Sequence, residues 1–267
     1  MEIPTLWNWA RVKMTQPNSW RDKTEEEEYK GSLQQLEIVY SCRISIIQDL
    51  CLLETNEMKP HMERLLYHLL KLEALTNLKL EVAQNSFVRP NLVAKVVSTV
   101  RNVDLSKCCQ NRPSDKGWNE PLVSIIEAVW KEIAENDYCT TKALRIDMNR
   151  DYVMKDIDPN LFCKCAVKLT KLDICTRLTN AQSNELFKAV AKGSDAQLEH
   201  LCLSNTKLNH IDPQIFAEAS GKFKSLRVDE ADLTAEQIDS LCQDINNNNL
   251  NIEELSIKND FINNSIR

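Results

Sequence analysis

A six-residue signature, apolar-x-x-apolar-x-apolar, recurs along this chain of 267 residues. In the C-terminal half it reads Leu169-x-x-Leu172-x-Ile174, Leu198-x-x-Leu201-x-Leu203, Phe223-x-x-Leu226-x-Val228 and Ile252-x-x-Leu255-x-Ile257. Toward the N-terminus it reads Ile47-x-x-Leu50-x-Leu52, Leu75-x-x-Leu78-x-Leu80, Val100-x-x-Val103-x-Leu105 and, with threonine in the first slot, Thr141-x-x-Leu144-x-Ile146. From Leu50 to Leu255 the central apolar residue advances by 28, 25, 41, 28, 29, 25 and 29 residues. Self-similarity at such a period marks a stack of supersecondary units rather than an ordinary globular domain. Eight strands share the register, and Arg11 to Met14 is a ninth candidate.

Between the signatures the periodicity changes from two residues to that of a helix, as in Met62, Leu65, Leu66, Leu69, Leu70 and again in Leu122, Ile125, Ile126, Val129, Trp130, Ile133. Helix starts are expected at Thr234, three residues before Gln237, and at Asn180, while Pro213 and Pro121 fit a first helical turn. Each unit therefore reads strand, turn, helix. One such unit cannot cover both its apolar strand face and its apolar helix stripe, so neighbours must do it. The expected fold is an α/β solenoid, a horseshoe with parallel strands on the concave face and helices on the convex face. Residues 1–43 are expected to form an N-terminal cap and linker, and 44–267 a domain of about eight repeats.

With these spacings the chain resembles the ribonuclease-inhibitor-like class of leucine-rich repeats, over roughly residues 44 to 262. That class includes cytosolic innate-immune receptors, GTPase activators and F-box substrate receptors, so the resemblance implies packing more than function. A shorter likeness lies in Pro4, Leu6, Trp7 and Trp9, followed by the Leu33, Leu36, Ile38, Val39 run. It is similar to the segment joining an F-box to its repeats, and a generic cap is the alternative. The F-box helices that would precede it are absent from this sequence.

Composition narrows the functional classes. The 33 basic and 39 acidic residues give a net charge of −6, which argues against a phosphate-tracking surface and hence against nucleic acid. No apolar run reaches the length of a membrane span, so no membrane partner is expected. Only 4 glycines are present, too few for Gly-rich phosphate loops. The 10 cysteines follow no secretory signal and sit where small hydrophobes would, as at Cys42, Cys108 and Cys242. Free thiols in a cytoplasmic protein, or a nuclear one, are expected. Cys163, Cys165, Cys202 and His200 lack metal-ligand spacing, and no nucleophile, zinc or dinucleotide motif occurs. No enzyme activity, metal or cofactor is expected.

Two features suggest a partner surface. Strand alternation puts Cys51, Lys79, Asp104, Arg145, Asp173, Cys202, Arg227 and Ser256 on the open side, with Glu81, Ser106, Asp147, Cys175, Ser204, Asp229 and Lys258 one pleat on. Lys79, Asp104, Arg145 and Asp173 alternate in sign, which suits either a self-satisfied ladder or a protein-binding sheet. The 41-residue step contains an extra segment, Cys109 to Pro121, in which Trp118 near Arg112 and Lys116 either packs back on the adjacent helix or forms a contact hot spot. The expected function is recognition of a protein partner through the concave face, using Lys79, Asp104, Arg145, Asp147, Asp173, Arg227, Asp229, Trp118 and Arg112. The alternatives are the substrate-recognition part of an F-box ubiquitin-ligase adaptor and the sensing end of an innate-immune receptor.

Overall fold

In a computed structural model the chain is described over residues 49–53, 59–72, 75–82, 88–107, 120–147, 154–193, 196–247 and 252–258. The N-terminal cap and candidate ninth strand, the insertion with Arg112 and Trp118, and Cys42 and Cys108 lie outside these residues. Among the described residues eight strands alternate with seven helices: β1 Asp49–Leu53, α1 Lys59–Leu69, β2 Asn77–Val82, α2 Pro90–Ser98, β3 Asn102–Lys107, α3 Glu120–Glu135, β4 Ala143–Asp147, α4 Pro159–Ala166, β5 Lys171–Ile174, α5 Asn180–Lys192, β6 His200–Ser204, α6 Pro213–Ser220, β7 Ser225–Asp229, α7 Ala235–Asn246 and β8 Glu254–Lys258. The strands form one parallel sheet in sequential order, β1 to β8, which does not close. Strands stack about 4.8 Å apart whereas helices need about 8 to 10 Å, so the file bends with its sheet on the inner side and its helices on the outer. The α/β solenoid expected from the spacing is the fold observed. No described helix is long and apolar enough to cross a membrane.

The register aligns the signature residues. Leu50, Leu78, Val103, Leu144, Leu172, Leu201, Leu226 and Leu255 lie opposite one another from strand to strand. Two residues on, Leu52, Leu80, Leu105, Ile146, Ile174, Leu203, Val228 and Ile257 form a second row. Both rows are buried from β1 to β7. The expectation of matching depth fails at the end: Leu255 is 37% exposed where Leu226 is 0%. Among the described residues no element lies beyond β8 to cover it.

The helices close the other side. Met62, Leu65, Leu66 and Leu69 of α1, and Ile125, Ile126, Val129, Trp130 and Ile133 of α3, are buried as their spacing predicts. Aromatic contacts join successive units: the Trp130 and Phe162 rings meet edge to face at 5.0 Å, and Phe187 stacks on Phe216 at 5.5 Å. Helix type alternates along the file. The helices α2, α4 and α6 have 9, 8 and 8 residues and begin with proline, whereas α3, α5 and α7 have 16, 13 and 12. Asp158 and Asp212 cap the short helices α4 and α6, accepting from backbone N–H groups of the first turn.

The longer helices α5 and α7 start with capping boxes. Thr234 and Gln237 form one as expected, but the cap of α5 is Thr179 with Gln182, one residue before Asn180. Both glutamines do more than cap. Gln182 Nε2 donates to the Met154 and Ile157 carbonyls at 2.7 and 2.8 Å, and Gln237 Nε2 to those of Leu208 and Ile211 at 2.8 and 2.7 Å. Each satisfies two carbonyls of the preceding unit, and both side chains are fully buried. At the strand exit Asn205 takes φ 54°, a left-handed conformation that asparagine tolerates, while its N–H donates to the Asp229 carbonyl at 3.0 Å. Cys165 is a buried free thiol, but Cys242 is exposed on α7 and does not act as the buried hydrophobe expected of it.

Candidate protein-binding face

Alternation along β2 to β8 turns every residue between the buried rows toward the open side of the sheet. Neighbouring strands differ by 25 to 41 residues in sequence, yet register makes one surface of them. Lys79, Asp104, Arg145, Asp173, Cys202, Arg227 and Ser256 lie side by side as the central row. Seven of the nine residues expected to contact a partner lie on this face; Arg112 and Trp118 are outside the described residues.

Arg145 is the hub of the charged part. Its guanidinium donates to Asp147 on its own strand at 3.0 Å. Across the strands it stands 3.6 Å from an Asp173 oxygen and 4.0 Å from an Asp104 oxygen. The expected sign-alternating ladder is present, but its shortest link runs along the strand. Lys79 similarly pairs with Glu81 on β2 at 2.7 Å, and its charge also acts on Asp104. Three carboxylates thus share one guanidinium, so around Arg145 itself they outnumber the cation three to one.

Asp104 shows the effect of burial within this cluster. Partial burial pushes its carboxyl above the ordinary range, and the attraction of Arg145 and Lys79 opposes the shift while Asp147 and Asp173 add to it. Its Oδ1 is shielded from solvent and has no hydrogen bond among the described residues, because Arg145 Nε at 4.0 Å is too far to donate. The Ser106 hydroxyl two residues on is also without a partner among them. Local spacing gave no signal of this, because the groups that surround Asp104 arrive from β2, β4 and β5.

Further along, Arg227 donates to Asp229 at 3.2 Å, and Lys258 of β8 stands 3.5 Å from the other Asp229 oxygen. Between the two arginines lie Cys175 and Cys202. Burial and then Asp173 push the Cys175 thiol up to about 12 and the Cys202 thiol up to about 11. Both are therefore protonated near neutral pH and poorly suited to nucleophilic attack or metal ligation. Among the described residues no three His, Cys, Asp or Glu side chains converge to hold a metal ion. His200 sits in the row below Cys202, 3.9 Å from Glu199. Compared with known proteins, the chain matches no family model and no curated sequence.

Proposed function

We propose that this chain is a protein-interaction module of the leucine-rich-repeat type, whose inner sheet receives a cationic segment of a protein partner. The observation that carries the reading is the cluster at Arg145, where Asp104, Asp147 and Asp173 crowd one guanidinium and one Asp104 oxygen has no hydrogen bond among the described residues. A Lys or Arg side chain from a partner would add a second cation beside the carboxylates that now share Arg145. Arg145 holds the carboxylates in place before the partner arrives, so less order is lost on binding. Recognition rather than catalysis suits a face whose thiols are held protonated. The free cysteines fit a cytoplasmic or nuclear setting. A ubiquitin-ligase adaptor or an immune sensor built on these repeats would use the same face.

The test is a fluorescence-anisotropy titration with a labelled arginine-rich peptide at low salt, against an acidic peptide of equal length. The wild type is expected to bind the basic peptide at least about tenfold more tightly than a D104N/D147N/D173N variant, with the difference shrinking as salt rises. Equal binding by wild type and variant, or no preference for the basic peptide, overturns the reading.

A further inference from the structure

The outer edge of β8 has a property that the inner face does not use. One side of β8 is bonded to β7, and among the described residues no strand lies on the other. A bare edge offers unpaired N–H and C=O groups to any strand that fits. Apolar surface accompanies it: Leu255 is 37% exposed and Ile245, on the helix just before β8, is 42% exposed. Every other leucine in its row is buried.

The sequence of β8 says what fits. It reads Glu254, Leu255, Ser256, Ile257, Lys258. Reversed about Ser256, acid meets base and leucine meets isoleucine. We infer that two copies of this chain join edge to edge through antiparallel β8 strands centred on Ser256, extending the two sheets into one. In that register Glu254 faces Lys258 of the partner subunit on the open side, twice over. On the helix side Leu255 faces Ile257 of the partner subunit, also twice, which covers the apolar residues left bare in a single copy.

Other arrangements of the same edge are disfavoured. Parallel pairing of the same two edges turns one copy over, so the open face of one would continue the helix side of the other and neither Glu254 would meet a lysine. Charges at both ends of an edge strand usually guard against indiscriminate pairing. Here they permit one arrangement, a two-fold one that closes on itself and cannot grow into a filament. Neither charge is locked away: the Lys258 side chain is 69% exposed beside Asp229, and one Glu254 oxygen accepts from the Ser225 hydroxyl at 3.1 Å. The two-fold axis is normal to the sheet, so both inner faces stay open on the same side.

Sedimentation equilibrium of the full chain over a concentration series tests the inference, with circular dichroism confirming the fold of each variant. The wild type is expected to reach twice the 30.7 kDa of one chain. Glu254→Lys alone places lysine opposite lysine, and Lys258→Glu alone places glutamate opposite glutamate. Each is expected to weaken self-association about tenfold or more. Mixed together, the two variants are again complementary at every position and are expected to associate as tightly as the wild type. A wild type that stays monomeric throughout overturns the inference. So does a dimer that ignores both reversals, or a mixture that fails to restore association.

Discussion

β4 and β7 carry nearly the same strand, Leu144-Arg145-Ile146-Asp147 and Leu226-Arg227-Val228-Asp229, with the same alternation of burial. In both, the arginine donates to the aspartate two residues on, at 3.0 and 3.2 Å. Their surroundings differ. Arg145 lies between Asp104 and Asp173, whereas Arg227 lies between Cys202 and Ser256. A local motif therefore makes the ion pair, but the field around it is written by strands 25 to 41 residues away in sequence. The same arginine–aspartate pairing is a tidy surface pair in one repeat and the centre of an acidic cluster in another.

The largest effects should not distinguish the two strands. Leu144 and Leu226 are both buried in the same row, at 1% and 0% exposure, so replacing either with alanine is expected to cost about 2 to 5 kcal/mol. Urea unfolding of both variants checks this, and a much smaller cost at Leu226 would mean that packing loosens toward the C-terminal end. The arginines should separate them. Arg145→Ala leaves three carboxylates facing one another and is expected to destabilise by about 1 kcal/mol at low salt, more than Arg227→Ala does. Raising the ionic strength should erase the difference in melting temperature.

The thiols offer a finer probe. Asp173 raises both Cys175 and Cys202, Asp147 raises Cys175, and Asp229 raises Cys202. Mass-spectrometric mapping of iodoacetamide labelling is therefore expected to show a modest acceleration at both cysteines in D173N, at Cys175 alone in D147N, and at Cys202 alone in D229N. Acceleration at neither site in D173N would remove its carboxylate as a cause. The smallest effect concerns Asp104. Its raised pKa means the folded state holds the proton more tightly than the unfolded chain does. That contribution is fully present below the ordinary carboxylate range and is lost as pH rises through the raised value. Asp104→Asn should accordingly gain stability over the wild type as pH rises from about 3 to 7, an effect that exposure keeps small. A gain that grows toward acid pH would show that the Arg145 attraction outweighs burial.

Much of the architecture could be read directly from the chain because two physical rules act locally. Strand alternation and the cost of exposing leucine fixed which residues form the buried rows, and the repeat then fixed their register. Where the expectation failed, the cause lay beyond one unit except at the start of α5. Leu255 has the right register, but among the described residues no following unit covers it. Thr179 rather than Asn180 caps α5 because only its hydroxyl stands three residues from Gln182. Of the two buried glutamines only Gln237 is legible as a cap partner, and the bonds to the preceding unit are legible for neither, since the carbonyl acceptors lie 25 to 29 residues earlier. On the inner face the outward residues were identifiable, but not that Arg145 hydrogen-bonds along its strand while Asp104 keeps an oxygen without a donor. That depends on side-chain reach in three dimensions.

The sequential strand order also sets how this molecule comes apart. Each strand bonds only to those before and after it, so no unit is gripped from more than two sides. The last one, gripped from a single described side, has the least to lose on detaching, and in dilute solution melting should advance inward from it like a zip. Amide hydrogens of β8 are then expected to exchange before those of β4 and β5, the reverse order counting against such a front. Injury to one unit would be contained there, leaving the remainder of the file standing.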